Sequence, residues 1–117
     1  MEYVKIIVWI YLKTNIERMI KMTIEKTVNG EEAVIKPIGW LDTETSQEFA
    51  AVLGNLEADV KALTLDLSGL EYTSSAGLRQ IVAAHKKMSG NLKLVNVSPE
   101  IMQVFKMTGF DKKLDIR

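Results

Sequence analysis

Two adjacent serines, Ser74 and Ser75, stand where a strand-like run gives way to a helix-like run. Hydroxyls at such a junction have two uses. One is to cap the helix, because the first backbone N–H groups of a helix lack intrahelical partners. The other is to carry a phosphate, because a helix start is a favourable place for an anion. Local physics leaves both open, and neighbouring residues can divide them. Arg79 follows Ser75 at i, i+4, on the same helical face. It is either a solvated surface cation or a group that pairs with an acidic partner or a phosphate. His85 is the sole histidine and comes ten residues after Ser75. At about 1.5 Å per residue that is roughly 15 Å along a helix, too far for a nucleophile–base hydrogen bond.

The elements around the serines are readable. Leu63, Leu65 and Leu67 alternate as one face of a strand spanning about Ala62–Leu67. Gly69 supplies a turn. Leu78, Ile81, Val82 and Met88 then recur at helical spacing, to a stop at Ser89-Gly90-Asn91. Upstream, Met22–Val28 and Ala33–Gly39 read as strands joined at Asn29-Gly30, a hairpin signal. Phe49, Val52, Leu53 and Leu56 predict a helix, with Thr45 and Glu48 in capping-box spacing. Asp42 precedes that start and reads locally as a loop or helix-start carboxylate. Trp40 is either a residue at the edge of the core or an exposed anchor for a partner, a role in which Trp is enriched. Downstream, Asn91–Val97 is a strand, Ser98-Pro99 opens a helix carrying Ile101, Val104 and Phe105, Gly109 ends it, and Phe110–Ile116 offers a last strand. This order predicts an α/β sandwich: helices packed on a four- to five-stranded mixed sheet, parallel except near its first hairpin.

The run Leu65-Asp66-Leu67-Ser68-Gly69-Leu70 followed by Ser74-Ser75-Ala76-Gly77-Leu78 resembles the signature of the STAS domain. More narrowly, it resembles the bacterial anti-sigma factor antagonists. Gly39-Trp40-Leu41-Asp42 resembles a Gly-x-Leu-Asp segment of the same family. The likeness runs from about Met22 to Ile116. It implies that a serine at this helix start is phosphorylated by an anti-sigma factor that is also a serine kinase, and that a serine phosphatase resets it. The usual pattern is Asp-Ser-(Ser or Thr)-Gly-Leu, which places the acceptor on Ser75 with Ser74 as its competitor. The chain departs from the pattern with Ser74 where Asp is common and Ala76 where Ser or Thr is common. The expected partner-binding surface comprises Asp42, whose match in the family lies on the face that meets the kinase, with Trp40, where family members more often carry a polar residue, and Thr73, Ser74, Ser75, Ala76, Gly77, Leu78 and Arg79. Two other readings keep the fold: a STAS-type scaffold subunit of a membrane transporter complex without phosphorylation, and a small nucleotide-binding regulator.

Composition bounds these readings. The chain has 117 residues, 47% of them hydrophobic, which suits one ordinary domain with a real core. Fifteen basic and fifteen acidic residues cancel, against the basic surface expected of a nucleic-acid binder. There is no cysteine, which excludes disulfides and thiolate metal sites and suits a reducing cytoplasm. One histidine excludes a multi-histidine metal site in one chain. Nucleophile-elbow, Walker and dinucleotide-binding motifs are missing, so neither a catalyst nor a cofactor is expected. Residues 1–21 stand apart as a hydrophobic extension to a domain covering 22–117. Its run Ile6-Ile7-Val8-Trp9-Ile10-Tyr11-Leu12 is too short to span a bilayer. It reads as a docked strand or helix, with Ile16, Met19 and Ile20 as one face in the helical case, or as a self-association element.

Overall fold

A computed structural model describes residues 2–11 and 18–117, the first of these stretches and residues 18–20 as backbone only. The elements follow in the order β1 (Glu2–Tyr11), β2 (Arg18–Asn29), β3 (Glu32–Leu41), α1 (Thr45–Gly54), β4 (Ala62–Asp66), β5 (Leu70–Thr73), α2 (Ser75–Lys87), β6 (Leu92–Val95), α3 (Pro99–Thr108), a 3₁₀ turn (Phe110–Lys112) and β7 (Asp115–Ile116). The sheet order is β1-β2-β3-β4-β6-β7, with β5 also paired to β3. The β1–β2 and β2–β3 pairs are antiparallel, and the remaining pairs are parallel. The α/β architecture with a mostly parallel mixed sheet is therefore as expected.

The sheet is wider than expected, with seven strands. One addition is β1: of the two conformations open to the N-terminal run, Glu2–Tyr11 takes the strand. Met19 and Ile20 belong to β2, and Ile16 lies outside the described residues. The second addition is β5, which occupies the stretch expected to pass directly from turn to helix. It has a partner because β3 is long: its first half pairs with β4 and its last residues pair with β5. At the C-terminus, Phe110–Lys112 is a 3₁₀ turn and only Asp115–Ile116 forms the strand.

The burial pattern explains the layering. Met22 and Ile24 on β2, Ala33 and Ile35 on β3, Leu63 and Leu65 on β4, and Leu92 and Leu94 on β6 are buried at alternate positions. The strand registers align them on one face of the sheet. Phe49, Val52 and Leu53 of α1, Leu78 and Ile81 of α2, and Ile101 and Phe105 of α3 join them in one core. Complete burial of a side chain such as Phe49 or Phe105 contributes about 1.5–3 kcal/mol. Helices thus cover one face. The opposite face presents residues such as Val34, Lys36 and Trp40, at the alternate positions of β3.

The C-terminal end of helix α1 is held by cations from two other elements. The Lys87 amine of α2 donates to the carbonyls of Leu53 (3.2 Å) and Gly54 (3.5 Å), which end the helix. The Lys26 amine, on the core face of β2, lies 2.6 Å from the Glu57 carboxylate just past it.

Candidate functional site

Two helix starts meet at the C-terminal ends of β3 and β5. Leu41 and Thr73 are register partners on these parallel strands. The Ser74 N–H then donates to the Leu41 carbonyl at 2.8 Å, extending the pairing by one residue. Ser74 therefore keeps an extended backbone (φ −89°, ψ 172°), and the helix begins one residue later, at Ser75. The Ser74 hydroxyl accepts from the Gly77 N–H at 3.2 Å, so Ser74 is the cap. Ser75 occupies the first helical position with its side chain exposed, and no hydrogen bond engages its hydroxyl among the described residues. The first turn of α2 contains no acidic residue. Ser74 is thus used as the cap, and the Ser75 hydroxyl is left on the surface.

The neighbouring residues press this turn against β3. Thr73 is buried, and its hydroxyl donates to the Ser74 carbonyl at 3.2 Å. Gly77 is buried in contact with the same strand ends. A methyl group there would sit 2.7 Å from both Leu41 Cγ and Thr73 Oγ1, so only glycine fits without a shift. Leu78 is buried, Ala76 is half-buried, and Arg79 points to solvent. His85 is half-buried further along α2.

The other helix start is built differently. The capping box expected of Thr45 and Glu48 does not form. Thr45 is wholly buried, and its hydroxyl turns inward to donate to the Trp40 carbonyl at 2.7 Å while accepting from the Asp42 N–H at 2.8 Å. Asp42 does the capping: its Oδ1 accepts from the N–H groups of Glu44 (3.0 Å) and Thr45 (2.9 Å). Its other oxygen, Oδ2, faces the Lys21 amine at 3.3 Å, and that amine also reaches Glu44 Oε1 at 3.3 Å. Partial burial opposes ionisation of Asp42, but the Thr45 N–H and the Lys21 amine outweigh it and hold the carboxyl below the usual range. The Lys21 amine is correspondingly raised, chiefly by Glu44. Lys21 comes close because Gly39, its near neighbour across the β2–β3 ladder, has φ +108°. Any side chain on Gly39 would run into the Lys21 carbonyl oxygen.

Trp40 lies on the sheet face opposite the core and is 51% exposed. Its register partner on β5 is Tyr72, 44% exposed, with ring centroids 5.3 Å apart and planes tilted by 43°. Pairs of this kind favour tilted or offset geometry. Nothing in the sequence signals that Tyr72 sits beside Trp40. Asp66 of β4 fixes the approach to the turn: its Oδ1 accepts from the Ser68 N–H (3.0 Å) and the Asn96 side-chain amide (3.1 Å). Burial raises its pKa, but these bonds prevail and leave it lowered.

Among the described residues, no three His, Cys, Asp or Glu side chains are grouped as metal ligands would be. No helix among them is long and apolar enough to cross a membrane.

The family model of the STAS domain matches residues 23–117. The chain belongs to the STAS domain family. It is 30% identical over 76 residues to a protein carrying the name anti-sigma factor antagonist BtrV, from Bordetella bronchiseptica. That match spans 62% of this chain and 66% of the relative, just under two thirds of its length. Among solved structures, an anti-sigma factor antagonist from Mycobacterium paratuberculosis superposes with a TM-score of 0.73 at 26% identity, covering 81% of this chain and 84% of the other. The antagonist SpoIIAA shares the fold at 21% identity. Its unphosphorylated form has a TM-score of 0.68, covering 82% of this chain and 87% of that one. Its phosphorylated form, from Bacillus, has a TM-score of 0.62, covering 82% and 90%. The STAS fold of this chain thus carries the two serines at the start of α2, beside the exposed Trp40–Tyr72 pair and the Asp42 cap of α1.

Proposed function

We propose that this STAS domain protein is an anti-sigma factor antagonist, and that phosphorylation of Ser75 switches it off. Unmodified, it binds an anti-sigma factor that is also a serine kinase, and so frees a sigma factor. The kinase then phosphorylates Ser75, and a serine phosphatase resets the switch. The protein is the substrate in this cycle and not the catalyst. The observation that carries the reading is the division of labour at the start of α2. Ser74 is consumed as the cap, while Ser75 stands exposed, its hydroxyl without a hydrogen bond among the described residues. The names of the relatives support the partner class.

The chemistry of the switch follows from charge. A phosphate adds about −1.5 to −2 charge at pH 7. On Ser75 it would lie at the positive end of α2, in a first turn without acidic residues, so the fold tolerates it. A partner surface fitted to a neutral hydroxyl would have to desolvate that charge, which weakens the complex. Around Ser75, the partner-binding surface is formed by Ser74, Ala76 and Arg79, together with Asp42 and Trp40, supported by the buried Thr73, Gly77 and Leu78. Within it, Thr73 and Gly77 shape the turn from below, and Trp40 and Arg79 offer exposed contact groups. In this reading residues 22–117 form the working domain and residues 1–21 an addition to it.

The test is phosphosite mapping by tandem mass spectrometry on protein from its native cells, followed by partner affinity of Ser75→Ala and Ser75→Asp. A phosphate on Ser75 is expected, with tight binding by Ser75→Ala and a loss of ten-fold or more for Ser75→Asp. Equal affinity of the two variants would overturn the switch. A phosphate found only on Ser74 would move the acceptor to the cap.

A further inference from the structure

The sheet ends in two unequal edges. At one end is β7, two residues long. At the other is β1, ten residues long, paired to β2 along one side from Glu2↔Val28 to Tyr11↔Arg18. Among the described residues no strand pairs with its outer side. A strand has N–H and C=O groups on both sides, so the outer side of β1 presents a row of them. Natural edge strands are usually short, charged, broken by proline or bulged. β1 is long, contains neither proline nor glycine, and has two charged residues in ten, Glu2 and Lys5. Its one irregularity falls between Val8 and Ile10, which leaves Glu2–Val8 in unbroken register.

We propose that β1 is a dimerisation strand that pairs antiparallel, edge to edge, with β1 of a second copy of this chain. A second copy is favoured as the occupant by three observations. Antiparallel pairing of one strand with itself is two-fold symmetric, so it satisfies both edges at once and closes. Pairing β1 with the far edge of another copy would meet only the two residues of β7, so open chains have little ladder to grow on. The chain has a formal charge of zero, so two copies meet without net repulsion. The result is one continuous sheet through the dimer axis. The start of α2 lies past β3, away from that edge, so Ser75 remains available on both copies.

Sedimentation equilibrium on the full chain, over a hundred-fold range of concentration, tests this first. Twice the monomer mass is expected, and it should be unchanged in Ser75→Asp, which makes the result independent of the proposed switch. A monomer throughout would overturn the proposal. Two substitutions then locate the contact. Successive N–H groups on a strand point to opposite sides, so of Ile6→Pro and Ile7→Pro one removes a bond to β2 and the other removes only an outward donor. The outward one should be monomeric, with native circular dichroism and a Tm within a few degrees of the parent. A dimer that survives in both variants would overturn the assignment. Hydrogen exchange on the unmodified chain covers the case in which both variants unfold. Consecutive β1 amides should all be protected in the dimer, whereas alternate fast exchange along Glu2–Val8 would show an unpaired edge and defeat the proposal.

Discussion

The starts of α1 and α2 lie side by side at the ends of two paired strands, yet one is closed and the other open. At α1 the polar side chains drawn in from the surface are committed. Asp42 bonds two backbone N–H groups, its second oxygen faces Lys21, and the Thr45 hydroxyl is buried between Trp40 and Asp42. At α2 one serine does the capping and its neighbour is left unengaged among the described residues. The difference comes from where strand pairing stops. Ser74 is held extended by the Leu41 carbonyl, which delays the helix by one residue and puts the next hydroxyl on the surface. At this start the cap and the exposed hydroxyl are different residues, which is the arrangement that the proposed switch uses.

Substitutions can break that contrast, and the largest effect is expected at Gly77. In an ordinary helix Gly→Ala is stabilising, by about 1 kcal/mol. Here the added methyl would collide with Leu41 and Thr73, so Gly77→Ala should instead cost about 1–3 kcal/mol. A lower denaturation midpoint at unchanged m-value is the expected signature. A gain in stability would show that the turn is not pressed against β3.

Removing the closed cap comes next. Asp42→Ala should cost about 1–2 kcal/mol at neutral pH, since several bonds at the start of α1 go with it. The pH dependence has a definite sign. Asp42 titrates below its unfolded value, so its contribution is complete above the ordinary carboxylate pKa of about 4 and is lost as pH falls through the lower folded value. The gap between the parent and Asp42→Ala should therefore close in acid, as denaturation curves from pH 7 down to about 2 would reveal. A gap that persists below both pKa values would mean the ionised carboxylate is not what stabilises α1.

The smallest effects sharpen the comparison within α2. Ser74→Ala should cost about 1 kcal/mol as the cap is lost. Ser75→Ala should fall within about 0.5 kcal/mol of the parent, as for other exposed positions without partners. Thermal unfolding of the pair measures both. The reverse ranking would exchange the roles of the two serines.

Much of this was legible along the chain. Leucine alternation announced β4, helical spacing announced α1 and α2, and Ser98-Pro99 marked the start of α3, where the Ser98 hydroxyl does accept from the Ile101 N–H at 3.2 Å. Each signal is complete within a few residues. The same holds for the motif of serines, Gly77 and Leu78, which pointed to the family before any geometry. Four features were not legible. β5 is four residues long and exists because the end of β3 needed a partner. The Thr45–Glu48 spacing suggested a cap, but burial turned the threonine away and gave the task to Asp42. Trp40 and Tyr72 are strangers in sequence and neighbours across strands. Lys21 reaches Asp42 only because Gly39 lets β2 approach.

The three helices, the strands β2, β3, β4 and β6, the alternating core positions, the family and the two candidate serines can be read along the chain, because periodicity, turn chemistry and a contiguous motif are local. Tertiary structure alone decided which serine is the cap and which is exposed. That choice rests on one hydrogen bond, from the Ser74 N–H to the Leu41 carbonyl, between strands joined only by the fold.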